Sequence, residues 1–276
     1  MLIRVGFSAD PDDAFMFWGL ASGSVDRLGH EFEPVTEDIQ TLNEWALEGR
    51  LEVTAISLAT YPLVQERYLL LPHGASMGAG YGPVVVAREP LTLDELRREE
   101  VVIPGSLTTA YLVLRMALGE GLRVRPLPFD EILDEVASGR AAAGLVIHEG
   151  QLTYADEGLR KCLDLGEWWL LETGLPLPLG VNVIRRDLGD DAVREVSRVL
   201  RASIDASLAH RAEALDYALA FGRGLDDARG DRFIDMYVNE LTQDYGEEGR
   251  QAVHELLARA EAAGAYDSPV RIEFVE

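Results

Sequence analysis

The sequence predicts an α/β protein of two domains, the second inserted into the first. Three observations carry this expectation. The first third of the chain alternates strand-like and helix-like segments, the order of a parallel sheet with crossover helices. The apolar runs at Val53 to Ile56, Val101 to Ile103 and Leu145 to Ile147 are short and end at polar or turn-forming residues, as strands buried on both faces do. Two proline-bearing stretches, near Pro83 to Pro90 and near Leu175 to Val181, let the chain leave one domain and return to it. The expected division is a larger α/β domain of residues 1–86 plus 182–276, with a smaller one of 87–181 between the crossovers.

Each element has its own local reason. Leu2 to Phe7 reads as a strand, followed by the polar loop Ser8 to Asp13 and a helix from Ala14 to Ser22, with Asp12 or Asp13 as N-cap and Gly23 as the stop. Glu33 to Glu37 is a second strand, Asp38 to Glu48 a helix, and Val53 to Ile56 a buried strand ending at Ser57. A third helix is expected through Tyr61, Val64 and Tyr68. The glycine-dense stretch Gly74 to Pro83 lacks the Gly-Lys-Ser/Thr ending and the dinucleotide spacing, so it reads as a close-packed segment before the strand Val84 to Ala87. Val101 to Pro104 is a strand, and Gly105-Ser106-Leu107-Thr108-Thr109 opens the helix Ala110 to Leu118. Phe129 to Ser138 is amphipathic and leads through Gly139 to the Leu145 strand; Leu163 to Leu165 is a further short strand. Leu175 to Gly180 alternates leucine and proline and reads as an extended connection into the strand Val181 to Ile184. From Asp190 the chain is helical, with Val193, Val196, Leu200, Ile204, Ser207 and Leu208 on one stripe.

Composition bounds the function classes. The 276 residues are 47% hydrophobic and 26% charged, ordinary values for a globular protein. A net charge of −23 argues against nucleic acid, whose backbone requires basic patches. No apolar run approaches the ~20 residues that span a bilayer, so no membrane partner is expected. The single cysteine, Cys162, rules out an internal disulfide and reads as inert. With no signal-like pattern at the start, these features point to the cytoplasm. Nothing in the sequence sets the oligomeric state.

Gly144-Leu145-Val146-Ile147-His148-Glu149-Gly150 carries the strongest chemical signal. His148 falls just past a buried strand, where open α/β sheets bind ligands, and imidazole takes or gives a proton near neutral pH. Glu149, one residue on, is expected to face away if the strand stays extended. Thr108 and Thr109 at a helix start suit either an anion cradle or ordinary N-capping. Of Trp168 and Trp169, at least one reads as packing and the other suits the cover of an aromatic substrate; Arg67, Arg88 and Arg115 are candidate carboxylate partners that read more readily as solvated charges.

Taken together, Thr41 to Leu51, Gly82 to Arg88, Thr108 to Tyr111, Gly144 to Glu149, Asp164 to Trp169 and Thr173 to Gly180 resemble the 1,4-dihydroxy-6-naphthoate synthases, lyases of the futalosine route to menaquinone. The likeness runs from the first strand into the C-terminal helices, and Ile147-His148-Glu149 and Thr173 to Gly180 are its most specific parts. It implies a two-lobed fold of the type 2 periplasmic-binding-protein kind with a cleft between the domains. It implies that a small carboxylate, cyclic dehypoxanthine futalosine, is cleaved to 1,4-dihydroxy-6-naphthoate with release of a sugar-derived ketone. By position it places Asn43, Ser57, Thr109, Ala110 and Ile147 in the substrate pocket, beside which the anion-cradle reading sets Thr108, and makes His148 the catalytic base, with no metal or organic cofactor. The loop Ser8-Ala9-Asp10-Pro11-Asp12-Asp13-Ala14-Phe15 departs from the family's Ser-Pro-Cys-Pro-Asn-Asp-Thr-Phe: two neutral positions are acidic and Ala14 lacks a hydroxyl. Chorismate dehydratase, which shares the fold, is a second enzyme reading, and a non-catalytic solute-binding protein a third. The Ile-His-Glu, Trp-Trp and Leu-Pro-Leu-Pro segments favour the naphthoate synthase over the dehydratase.

Overall fold

The computed structural model describes residues 1–222 and 226–276, and its strands form two sheets. The strands are β1 (Leu2–Ser8), β2 (Glu31–Glu37), β3 (Val53–Ser57), β4 (Tyr68–Leu70), β5 (Ser76–Gly78), β6 (Val84–Ala87), β7 (Glu100–Ile103), β8 (Arg123–Pro126), β9 (Ala143–Val146), β10 (Arg160–Asp164) and β11 (Leu177–Arg185). The first sheet runs β2-β1-β3-β11-β4, with β5 joined to β11. In it β1 is parallel to β2 and β3, whereas β11 is antiparallel to β3 and β4. The second runs β10-β6-β9-β7-β8, with β7 parallel to β8 and β9, and β6 antiparallel to β9 and β10.

The chain divides into two compact units, Met1–Met77 with Pro178–Glu276, and Gly78–Leu177. This differs from the expected boundaries of 86/87 and 181/182. Val84, Val85 and Val86 pair with β9 and β10, which places them in the second unit's sheet. Gly180 and Val181 pair with Ser57 and Ile56, which places them in the first. Backbone pairing, not the prolines, sets where one unit ends.

In the first unit the helix Pro11–Ala21 lies against the helix Asp190–Ala209. Their approach depends on Gly19, where a Cβ would come within 2.7 Å of Ser203 Cα. Ser203 Oγ fastens the crossing by donating to Met16 O at 2.9 Å and accepting from Leu20 N at 3.1 Å. Phe7, Phe15, Val196, Leu200 and Ile204 are buried here, at ~1.5–3 kcal/mol for each side chain fully withdrawn from water. The N-cap is Asp10 rather than Asp12 or Asp13, because Pro11 at the first helical position needs no hydrogen-bond acceptor and starts the helix earlier. The expected helix through Tyr68 is also corrected. Only Leu58–Thr60 and Tyr61–Val64 are helical, and Tyr68 begins β4 opposite Arg185.

In the second unit Val84, Val86, Val102, Val146, Ile132 and Val136 form the core. Gly144 in β9 lets the helix Ile132–Ala137 close over the sheet, since a Cβ there would lie 2.7 Å from Ile132 Cγ2. Gly166 works the same way at the start of the helix Leu165–Thr173: a Cβ would overlap the Tyr81 carbonyl. Leu177 to Arg185 is one continuous strand, with Pro178 ahead of the first residue paired to β3, Gly180.

Candidate functional site

Each unit gathers its candidate residues at the carboxyl ends of parallel strands, the edge where open α/β sheets bind ligands. In the first unit β3 ends at Ser57 and β1 at Ser8. The helix Ile39–Glu48, capped by Asp38 and closed by Gly49 in the left-handed region (φ 72°), brings Asn43 onto Ser57. Asn43 Nδ2 donates to Ser57 Oγ at 3.0 Å, and the Ser57 amide donates to Asn43 Oδ1 at 2.8 Å. Both residues are buried, Asn43 completely. The two polar residues therefore engage each other before any ligand arrives.

On the same edge lies the loop after β1. Asp10 Oδ1 accepts from the Asp13 amide at 3.2 Å, and Asp13 Oδ2 accepts from the Ser8 amide at 2.7 Å. Asp12 Oδ2 accepts from Ser76 Oγ at 2.7 Å. All three aspartates are buried. Burial, then the like charges of Asp10 and Asp13, hold the Asp12 carboxyl well above the ordinary carboxylate range.

In the second unit β7 and β9 are parallel, so the segments after Ile103 and after Val146 share one edge. Thr108 is the N-cap of the helix Thr109–Leu118: its Oγ1 accepts from the Tyr111 amide at 3.2 Å and donates to Gly105 O at 2.9 Å. Of the two open readings of Thr108, its side chain takes the capping one. Thr109 and Ala110 follow at the first helical positions, where backbone N–H groups have no intrahelical acceptor. Ile147 and His148 are half-buried just beyond β9.

His148 has a φ of 52°, a left-handed conformation uncommon for residues other than glycine, which histidine enters more readily than most. The turn ends the strand alternation at Val146, so the expectation that Glu149 faces away does not apply. Glu149 is the N-cap of the short helix Gly150–Thr153 and is 6% exposed. The His148 ring meets Phe129 edge-on, with centroids 4.8 Å apart and planes at 71°. A bulky residue held at positive φ, with its ring packed against an aromatic, is a side chain oriented by its surroundings. The neighbours Phe129 and Glu149 were not legible beside His148, because the first is brought in by the fold and the second by a turn with no sequence signature.

Three of the remaining sequence candidates resolve as packing or surface charge. Trp169 is fully buried and donates from Nε1 to Pro176 O at 3.1 Å. Arg115 pairs with Glu120 at 2.8 Å. Cys162 is half-buried, and burial raises its thiol. Among the described residues no helix is long and apolar enough to cross a membrane.

Comparison with known proteins places this geometry in context. A family described as menaquinone biosynthesis matches residues 3–262. The chain is 46% identical to the 1,4-dihydroxy-6-naphthoate synthase of Thermus thermophilus over 263 residues, covering 95% of each. It is 38% identical to the synthase of the same name from Streptomyces coelicolor, covering 95% of this chain and 94% of that one. A crystal structure of a protein from Archaeoglobus fulgidus has 45% identity and a TM-score of 0.91, covering 96% of this chain and 98% of that one. The ligand-binding component of an ABC-type import system from Staphylococcus aureus has a TM-score of 0.72 at 15% identity, covering 100% of this chain and 96% of that one. That likeness is one of fold alone, and the fold is of the periplasmic-binding-protein kind.

Proposed function

The chain belongs to the menaquinone-biosynthesis family of 1,4-dihydroxy-6-naphthoate synthases, and on that premise we propose that it cleaves cyclic dehypoxanthine futalosine with His148 as the general base. The observation that supports this reading is the placement of His148 at the carboxyl end of β9, at φ 52° and with its ring against Phe129. Removing a proton from the substrate lets a carbon–carbon bond break, and the ring gains aromaticity as the sugar-derived ketone leaves. Imidazole is suited to this step because its ordinary pKa lies near the working pH. The acids of the Asp10 to Asp13 loop suit it less, since their carboxylates are engaged by the Ser8 and Asp13 amides and by the Ser76 hydroxyl.

Asn43, Ser57, Thr109, Ala110 and Ile147 are assigned to substrate binding. Thr108 contributes by holding the helix start, because its hydroxyl is engaged there. The hydroxyl of Thr109 and the first amides of the helix suit a carboxylate or a polar ring substituent. The reaction is assigned to the cytoplasm.

The test is turnover of authentic substrate, read as naphthoate formed, with chorismate as the comparison substrate. Wild type is expected to release naphthoate and leave chorismate intact. His148→Asn is expected to fold and bind product normally while turnover falls by roughly 10²–10⁴, the usual cost of a lost general base. Near-normal turnover in His148→Asn ends the base assignment, and dehydration of chorismate ends the substrate assignment.

A further inference from the structure

The acids after β1 have no part in the proposed reaction, yet they are gathered closely. One oxygen from each of Asp10, Asp12 and Asp13 lies within 4.8 Å of the other two. The three residues are 1%, 5% and 8% exposed. A second observation concerns Asp12 alone. Its Oδ1 is closed off from solvent with no N–H or hydroxyl donor on it, Oδ2 accepts from Ser76, and the Asp10 carboxyl lies within hydrogen-bonding reach of the Asp12 carboxyl. A buried carboxylate oxygen without a donor is costly, and neighbouring carboxylates add repulsion. The positive end of the helix Pro11–Ala21 offsets part of that charge. It is equivalent to only about half an elementary charge, against three acids.

We propose that Asp10, Asp12 and Asp13 form a binding site for a hard divalent cation. The donor set is oxygen only, without histidine or cysteine, which suits Ca2+, Mg2+ or Mn2+ and disfavours zinc and copper. The spacing admits Ca2+, which takes its oxygen ligands at ~2.3–2.6 Å in a flexible geometry, whereas Mg2+ at ~2.0–2.1 Å demands a tighter, octahedral set. The site follows Ser8 on the same sheet edge as Ser57. A bound cation therefore converts a concentration of negative charge at that edge into a nearly neutral one, in a chain whose net charge is −23. The site stands on this geometry whether or not His148 is the base.

The test uses the whole protein, freed of metal with EDTA and titrated with CaCl2, MgCl2 and MnCl2 by calorimetry and thermal melting, against NaCl at matched ionic strength. Saturable one-site binding with a rise in Tm is expected. Asp12→Asn keeps the shape, removes a buried charge, and is expected to weaken that affinity at least tenfold. Asp10→Asn is the second variant, since asparagine caps a helix as well as aspartate does. Asp191→Asn, at a side chain 96% exposed, is expected to leave affinity unchanged. Absence of saturable binding, a Tm rise reproduced by NaCl, or wild-type affinity in both cluster variants overturns the proposal and leaves the acids sharing a proton instead.

Discussion

Replacing Asn43 by alanine tests whether the Asn43–Ser57 pair is a preformed unit. The substitution removes the bond from Nδ2 to Ser57 Oγ (3.0 Å) and the one from the Ser57 amide to Oδ1 (2.8 Å). The first is worth ~1 kcal/mol net, and a buried amide left without an acceptor costs ~1–3 kcal/mol. Asn43→Ala is therefore expected to lose about 2–4 kcal/mol of stability. Ser57→Ala takes the acceptor from the completely buried Asn43 Nδ2 and is expected to lose ~1–3 kcal/mol. The double variant should be little worse than Asn43→Ala alone, since the side-chain bond both substitutions remove can be lost only once. Urea unfolding followed by circular dichroism measures all three, with unchanged slopes identifying a stability effect. A loss below ~0.5 kcal/mol in Asn43→Ala, or full additivity in the double variant, refutes the pair. If turnover then falls at an unchanged midpoint, Asn43 acts on the substrate alone.

Two further outcomes concern the body of the protein. His73 is buried with Nε2 3.0 Å from Ser197 Oγ, and burial followed by the charge of Arg201 lowers its pKa to about 4. It is neutral in the fold while the unfolded chain protonates near the ordinary 6.5, so the unfolded state binds more protons between those values. Stability is thus complete above pH ~6.5 and declines as pH falls toward 4, by on the order of 3 kcal/mol. His73→Phe should flatten that part of the curve, and an unaltered slope in urea midpoints excludes His73 as its source. Gly166→Ala places a Cβ on the Tyr81 carbonyl and is expected to cost ~3 kcal/mol through overpacking, read as a lower Tm. A Tm within a degree of wild type would mean that the Tyr81 to Gly82 segment yields readily.

Local chemistry was sufficient for the elements whose reasons are local. The period of Val193, Val196, Leu200 and Ile204 gives the long helix its buried stripe whatever it packs on. Asp38 and Gly49 bound the helix that carries Asn43 by capping, which depends only on neighbouring residues. Ile147-His148-Glu149 and the Leu-Pro-Leu-Pro run carried the family resemblance, and a relative at 46% identity agrees with it. What escaped the sequence depends on partners distant along the chain. Tyr68 has a helical neighbourhood but becomes a strand because Arg185, more than a hundred residues later, offers it an edge. Val84 to Val86 fall inside the expected first domain, yet β9 and β10 claim them through backbone hydrogen bonds that no composition reveals. The alternation that turned Glu149 away from His148 fails at one residue, His148 itself, where the backbone enters the left-handed region. Three aspartates written as Asp-Pro-Asp-Asp look like a solvated loop, since charges ordinarily stay in water. Only the tertiary structure places Asp12 against Ser76, sixty-four residues away, and closes the water out.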